Sequence, residues 1–332
     1  SIYIFSLNVR AVFIIFAKSI IHKIKIVSLL KRLFSKKDSE EQKAKKKQST
    51  IQTLKINGVK AMRIGRAEQA LAFFHQILEL EKEDKDALLY LSQCYVQLNE
   101  LELAKEYIQK VCLLAPDLVE PQLSRIHIFQ LNKEYQQMLV AATQLVESHS
   151  DLTTAHYIQA VAYYKLDELF QAIASLTRAI TLNTYHTESL YLRAKILLEM
   201  NQVDEALQDI QQILEREKDH EGALLLKGSI EEKKGLSNEA YETYTKLINL
   251  NPFCSKAYSQ LAKYYIHQHL LDQALDVLNE AIELNPNDAN LYQHRGSVKL
   301  IMNDKDGAFD DTKKALELDP TIKESISGEF RS

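Results

Sequence analysis

Residues 255–288 read SKAYSQLAKYYIHQHLLDQALDVLNEAIELNPND. Tyr258, Leu261, Ala262 and Tyr265 are spaced by three and four, which places them on one face of a helix predicted from Ser255 to Gln268. Ala274, Leu278 and Ala281 form the inner face of a second helix, from Asp272 to Leu284. Asn285, Pro286 and Asn287 then break the chain, because proline lacks a backbone donor and restricts the residue before it. A lone pair of helices this short cannot bury its apolar stripes, so it needs neighbours.

The neighbours are in register at a step of 34 residues. From Ala274 the step meets Ala70, Ala104, Met138, Ala172, Ala206, Ala240 and Ala308, so seven of the eight positions are alanine. Where two helices cross closely only a small side chain fits, so this column is a packing signal. A second column, Gly58, Ser92, Ile126, Ala160, Ala194, Gly228, Ala262 and Gly296, is small everywhere except Ile126. Pro116, Pro252, Pro286 and Pro320 share one phase, which accounts for four of the five prolines. Gly65 and Gly235 share another, in the bend between paired helices, where left-handed dihedrals are useful.

This pattern resembles the tetratricopeptide repeat. The seventh unit carries it as Tyr258, Leu261, Ala262, Tyr265, Ala274, Leu278, Ala281 and Pro286, and the second as Leu88, Leu91, Ser92, Tyr95, Ala104, Ile108, Val111 and Pro116. The third is weakest, with Gln122, Arg125, Ile126, Phe129, Met138, Ala142 and Leu145. In the eighth, Arg295, Lys299 and Thr312 depart from the apolar preference. The resemblance implies an all-α fold, a right-handed superhelical solenoid of eight 34-residue helix-turn-helix repeats over 51–320. The units are 51–84, 85–118, 119–152, 153–186, 187–220, 221–254, 255–288 and 289–322. Such a fold carries many functions, so it fixes none by itself.

The net charge of −4 conceals an asymmetry. Residues 1–50 carry +9 and the remainder −13. An acidic repeat body repels phosphate backbones, which argues against nucleic acid as a partner. With eight glycines in 332 residues the chain is also poor in the turns of a nucleotide-binding sheet. Cys94, Cys112 and Cys254 have no metal-binding spacing and read as free thiols of a reducing compartment.

Residues 1–37 form an apolar and then basic segment. Ile2 to Ile20 is strongly apolar but contains Arg10 and Lys18. Each such charge costs about 2.5–3.5 kcal/mol at a bilayer centre, which leaves a marginal membrane anchor. Were it to insert, the cations after it would hold the repeats in the cytoplasm, on the inner face of the membrane. The alternative is an over-extended start, since the first Met is Met62 and Val27 to Lys37 looks like a bacterial protein start. Residues 38–50 are charged and nearly free of apolar side chains, which predicts a disordered or frayed linker. Residues 321–332 are a short tail that offers only a fragment of a capping helix.

No nucleotide loop, zinc spacing or nucleophile motif is present, and the expectation is a protein with no cofactor and no catalytic centre. His267 and His269, two apart, diverge on a helix and make no chelate. The resemblance implies a concave groove lined by the first helix of each pair. In the middle units its exposed positions are Tyr157, Val161, Tyr164, Lys165, Glu188, Tyr191, Lys195 and Leu198. Tyr157, Tyr164 and Tyr191 rimmed by Lys165 and Lys195 are suited to a peptide or helix of a partner protein. The competing structural reading tucks some of these rings between neighbouring repeats. The chaperone-tail clamp of the family is not matched: Lys55 fits, but Val59, Tyr90, Glu120 and Ser124 do not. The expected function is an interaction scaffold. The alternatives are an assembly factor anchored through residues 1–37 and a regulatory subunit of an enzyme on another chain.

Overall fold

The computed structural model describes residues 40–322. The described residues form sixteen α-helices and a closing 3-10 turn, Pro320–Ile322, with no strand among them. The helices fall into two compact units, one ending at Glu134 and the other beginning at Tyr135. Unit 1 contains α1 (40–63), α2 (Ala67–Leu80), α3 (Lys85–Gln97), α4 (Leu101–Leu114) and α5 (Val119–Leu131). Unit 2 contains α6 (Tyr135–Ser148), α7 (Thr153–Lys165), α8 (Leu169–Leu182), α9 (Thr187–Glu199), α10 (Val203–Arg216), α11 (Glu221–Lys233) and α12 (Ser237–Leu250). It continues through α13 (Ser255–His267), α14 (Leu271–Leu284), α15 (Ala289–Ile301) and α16 (Lys305–Leu318). The division falls inside the 119–152 repeat, the one with Ile126 and Met138 in the two small-residue columns. In unit 2 each helix packs on the next, and α9 also touches α11, as α13 touches α15.

Both columns are buried throughout. They face each other within a hairpin. The Ser92 hydroxyl donates to the Ala104 carbonyl at 2.8 Å, and a Cβ placed on Gly296 would lie 3.3 Å from the Ala308 carbonyl oxygen. The paired helices thus meet at backbone contact, which is why alanine and glycine recur there. Volume is also exchanged across the hairpin. Glycine stands at 58 and 228, where Phe74 and the fully buried Tyr244 press their rings into the space of a Cβ. Ala194 and Ala262 face smaller aliphatic residues of the same column, Ile210 and Leu278.

The bend inside every hairpin is built alike. Asn99, Lys133, Asp167, Asn201, His269 and Asn303 have φ between 57° and 66°, and Gly65 and Gly235 have 73° and 74°. These eight are one column at the 34-residue step. The bend closes as a Schellman motif: in α3, Glu100 N–H donates to the Tyr95 carbonyl at 2.8 Å and Asn99 N–H to Val96 at 3.0 Å. A left-handed residue with a Cβ costs roughly 1–2 kcal/mol, less for asparagine or aspartate, which bond locally. His269 has no such relief. His269→Gly is expected to raise stability by about 0.5–1 kcal/mol, after the entropy cost of glycine, read as a higher midpoint in chemical denaturation.

The departures in the last repeat have partners on the second helix of the hairpin. Arg295 Nε and Nη2 donate to both oxygens of Asp311 at 2.9 and 2.6 Å, and Lys299 Nζ lies 2.8 Å from the same carboxylate. Burial works to raise the Asp311 pKa, but the Arg295 and Lys299 hydrogen bonds outweigh it and hold it below the ordinary 3.8. Thr312 donates to the Ala308 carbonyl at 2.8 Å. Three repeats earlier, Arg193 repeats the fork on Asp209 at 2.8 and 2.6 Å, and both arginines also donate to the preceding repeat, Arg193 to Thr177 at 3.0 Å and Arg295 to Asn279 at 2.8 Å.

Residues 40–50 correct an expectation. They are the first turns of α1, exposed along their whole length, with an i,i+4 pair between Glu41 and Lys45 at 2.8 Å. Glu, Lys, Gln and Ala are strong helix formers, and nothing here interrupts a helix that starts before the repeat. Cys94 and Cys112 are buried, and burial pushes the Cys94 thiol up to about 11. Among the described residues no helix is long and apolar enough to cross a membrane. The apolar segment 1–37, the Val27 start and the tail beyond Ile322 lie outside the described residues.

Candidate functional site

Unit 2 has a cavity of about 690 Å³ between α7 and α9, reaching the loops that lead into α9 and α11. All five residues read from the sequence line it: Tyr157, Tyr164 and Lys165 from α7, and Tyr191 and Lys195 from α9. Val161 and Glu188 line it too, whereas Leu198 does not. The placement follows from helix geometry. Residues 157, 161, 164 and 165 are spaced by four, three and one, so they share the α7 face away from the buried Ala155 and Ala162. The three tyrosines are half-buried, each packing part of its ring on the core. One edge of each ring packs on the core and the rest faces the cavity.

The rings are fixed by specific partners. Tyr164 donates its hydroxyl to Glu199 Oε1 at 2.7 Å, while Lys195 Nζ lies 5.1 Å and Lys165 Nζ 6.0 Å from its ring centroid. Burial and the Glu199 bond raise the Tyr164 pKa, and the adjacent phenol raises that of Lys195, so the lysine stays charged. Burial, then the Glu188 charge, raises that of Tyr157. Cation–ring geometry of this kind stabilises by about 0.5–1 kcal/mol at exposed sites.

The sequence reading missed the loop side of the cavity. His186 and His220, 34 apart, are the residues before α9 and α11, and each caps its helix through Nδ1, accepting from Ser189 N–H at 3.2 Å and Ala223 N–H at 3.0 Å. Tyr157 packs on His186 with ring centroids 5.4 Å apart, and Tyr191 on His220 at 6.0 Å. The same tyrosine–histidine corner is thus built twice, one repeat apart. Tyr185, 56 % exposed, lies under the Arg216 guanidinium at 3.9 Å. The signal for the histidines was the 34-residue step itself, at a position that reads as a cap and not as part of the groove. Among the described residues no cluster of His, Cys, Asp or Glu is arranged to hold a metal ion.

Three family models, each described as a tetratricopeptide repeat, match residues 61–125, 191–248 and 255–288. The chain belongs to the tetratricopeptide repeat family. Repeats of this family typically form non-catalytic scaffolds. A fourth match, to subunit 3 of the anaphase-promoting complex or cyclosome, covers residues 131–213 of this tetratricopeptide repeat protein. A tetratricopeptide repeat protein from Parabacteroides merdae superposes with a TM-score of 0.61 at 24 % identity, covering 72 % of this chain and 96 % of that one. The Cut9–Hcn1 hetero-tetramer of the same complex superposes with a TM-score of 0.54 at 15 % identity, covering 74 % of this chain and 48 % of that one. At such identities the likeness establishes the fold. No curated protein matches the chain significantly.

Proposed function

We propose that this chain is a non-catalytic interaction scaffold that binds an extended segment or helix of a partner protein in the groove of unit 2. The observation that carries the reading is the convergence of Tyr157, Tyr164 and Tyr191 on one open cavity. Rigid aromatic side chains give large contact area for little lost rotamer freedom, and their hydroxyls supply polar contacts. The anaphase-promoting complex likeness supports the reading at the level of kind, since that neighbour is a subunit of a larger protein assembly. The acidic repeat body continues to argue against nucleic acid.

The test is the triple variant Tyr157→Ala, Tyr164→Ala, Tyr191→Ala in a pull-down from native extract. Loss of aromatic anchors is expected to weaken the bound partner by tenfold or more, about 1.4 kcal/mol at least. Circular dichroism must first show the variant folded. A partner list unchanged from the unmodified chain would remove the groove from the account.

A further inference from the structure

The groove is charged at both ends with opposite sign. At one end stand Lys165 and Lys195, both near the Tyr164 ring. Neither enters an ion pair among the described residues; the Glu199 charge acts on Lys195, while Glu199 Oε1 accepts from the Tyr164 hydroxyl at 2.7 Å. At the other end stand Glu188 and Glu217. Glu217 Oε1 accepts from the Thr187 hydroxyl at 3.0 Å, which positions the carboxylate without neutralising it. Glu188 lies 3.6 Å from His186 Nε2, but His186 spends its Nδ1 lone pair capping α9, as the neutral ring does. Along the helices Tyr157 and Tyr191 come between these ends, and their ring partners His186 and His220, the caps of α9 and α11, stand at the glutamate end.

We infer that the groove selects an extended segment of a partner protein that carries an acidic side chain and a basic side chain on either side of an aromatic or large apolar one. The acidic side chain sits between Lys165 and Lys195, the basic one at Glu188 and Glu217, and the apolar one against the Tyr157 and Tyr191 rings. Complementary charge at the two ends fixes the direction in which the segment lies and excludes segments of uniform charge. This inference rests on the groove being the binding site and adds to it the chemistry of the occupant.

The experiment is selection from a displayed library of random peptides, joined to the carrier at both ends so that every carboxylate offered is a side chain. The full chain and the variants Lys165→Glu with Lys195→Glu, and Tyr157→Ala with Tyr191→Ala, serve as targets. The expected result is enrichment of peptides pairing Asp or Glu with Lys or Arg around an aromatic residue. Against those peptides the lysine-reversal variant should lose about tenfold or more in affinity, because it sets like charges together. It should regain affinity for the same peptides with the acidic residue changed to Lys. Enriched peptides that lack an acidic residue, or binding indifferent to the reversal but lost with the tyrosines, would overturn the charge assignment and leave the groove intact. Binding indifferent to both variants, or no enrichment above background, would overturn both.

Discussion

Arg193→Leu is expected to destabilise unit 2 by about 3 kcal/mol, near the lower end of the range for breaking a buried ion pair. Arg193 keeps some solvent contact, but Asp209 is only 3 % exposed and loses both bonds of the guanidinium fork. The bond from Arg193 to Thr177 in the preceding repeat is lost at the same time. The chain itself contains the apolar alternative. Leu261 and Val277 occupy the same two columns two repeats later, where Arg193 and Asp209 stand in the fifth. The double variant Arg193→Leu, Asp209→Val should therefore return to within about 1 kcal/mol of the parent, since replacing both members of a buried pair with packed apolar groups is often neutral. Urea titrations of the four species decide it. A double variant no more stable than the single one would show that the pair is held by something other than its own charge balance.

Gly228→Ala is the second large effect, expected at about 3 kcal/mol, the upper part of the range for overpacking. The added methyl would lie 2.3 Å from Cε1 and 2.6 Å from Cζ of Tyr244. That ring is fully buried and cannot swing into solvent. Adding Tyr244→Leu recreates the Ala262 and Leu278 combination of the next repeat and should recover most of the loss. Thermal unfolding of the single and double variants measures the recovery. If Tyr244→Leu fails to improve the Gly228→Ala protein, the two positions do not trade volume as the contacts indicate.

What could be read from the residues depended on how far apart the cooperating residues are. Ala70 through Ala308 and Gly58 through Gly296 announce themselves because each repeats at a fixed step and each has one physical cause, helices touching at backbone distance. Arg295 looked like a departure because its explanation, Asp311, sits on the other helix of the hairpin, and no local period links them. Residues 40–50 were read as a linker from charge alone, although the same residues are good helix formers and adjoin a helix. In the groove, the five positions on α7 and α9 come from what the family resemblance implies for the first helix of each pair. His186, His220 and Tyr185 do not, since a loop side chain is aimed by the way one hairpin stacks on the next.

The side-chain bonds described above never join residues more than 35 positions apart. Among the described residues no side-chain bond ties one end of a unit to its other end. A molecular motor pulling on such a chain would meet no single large barrier, and would instead peel away one hairpin after another, each giving way at a comparable force and able to snap back once the load is released.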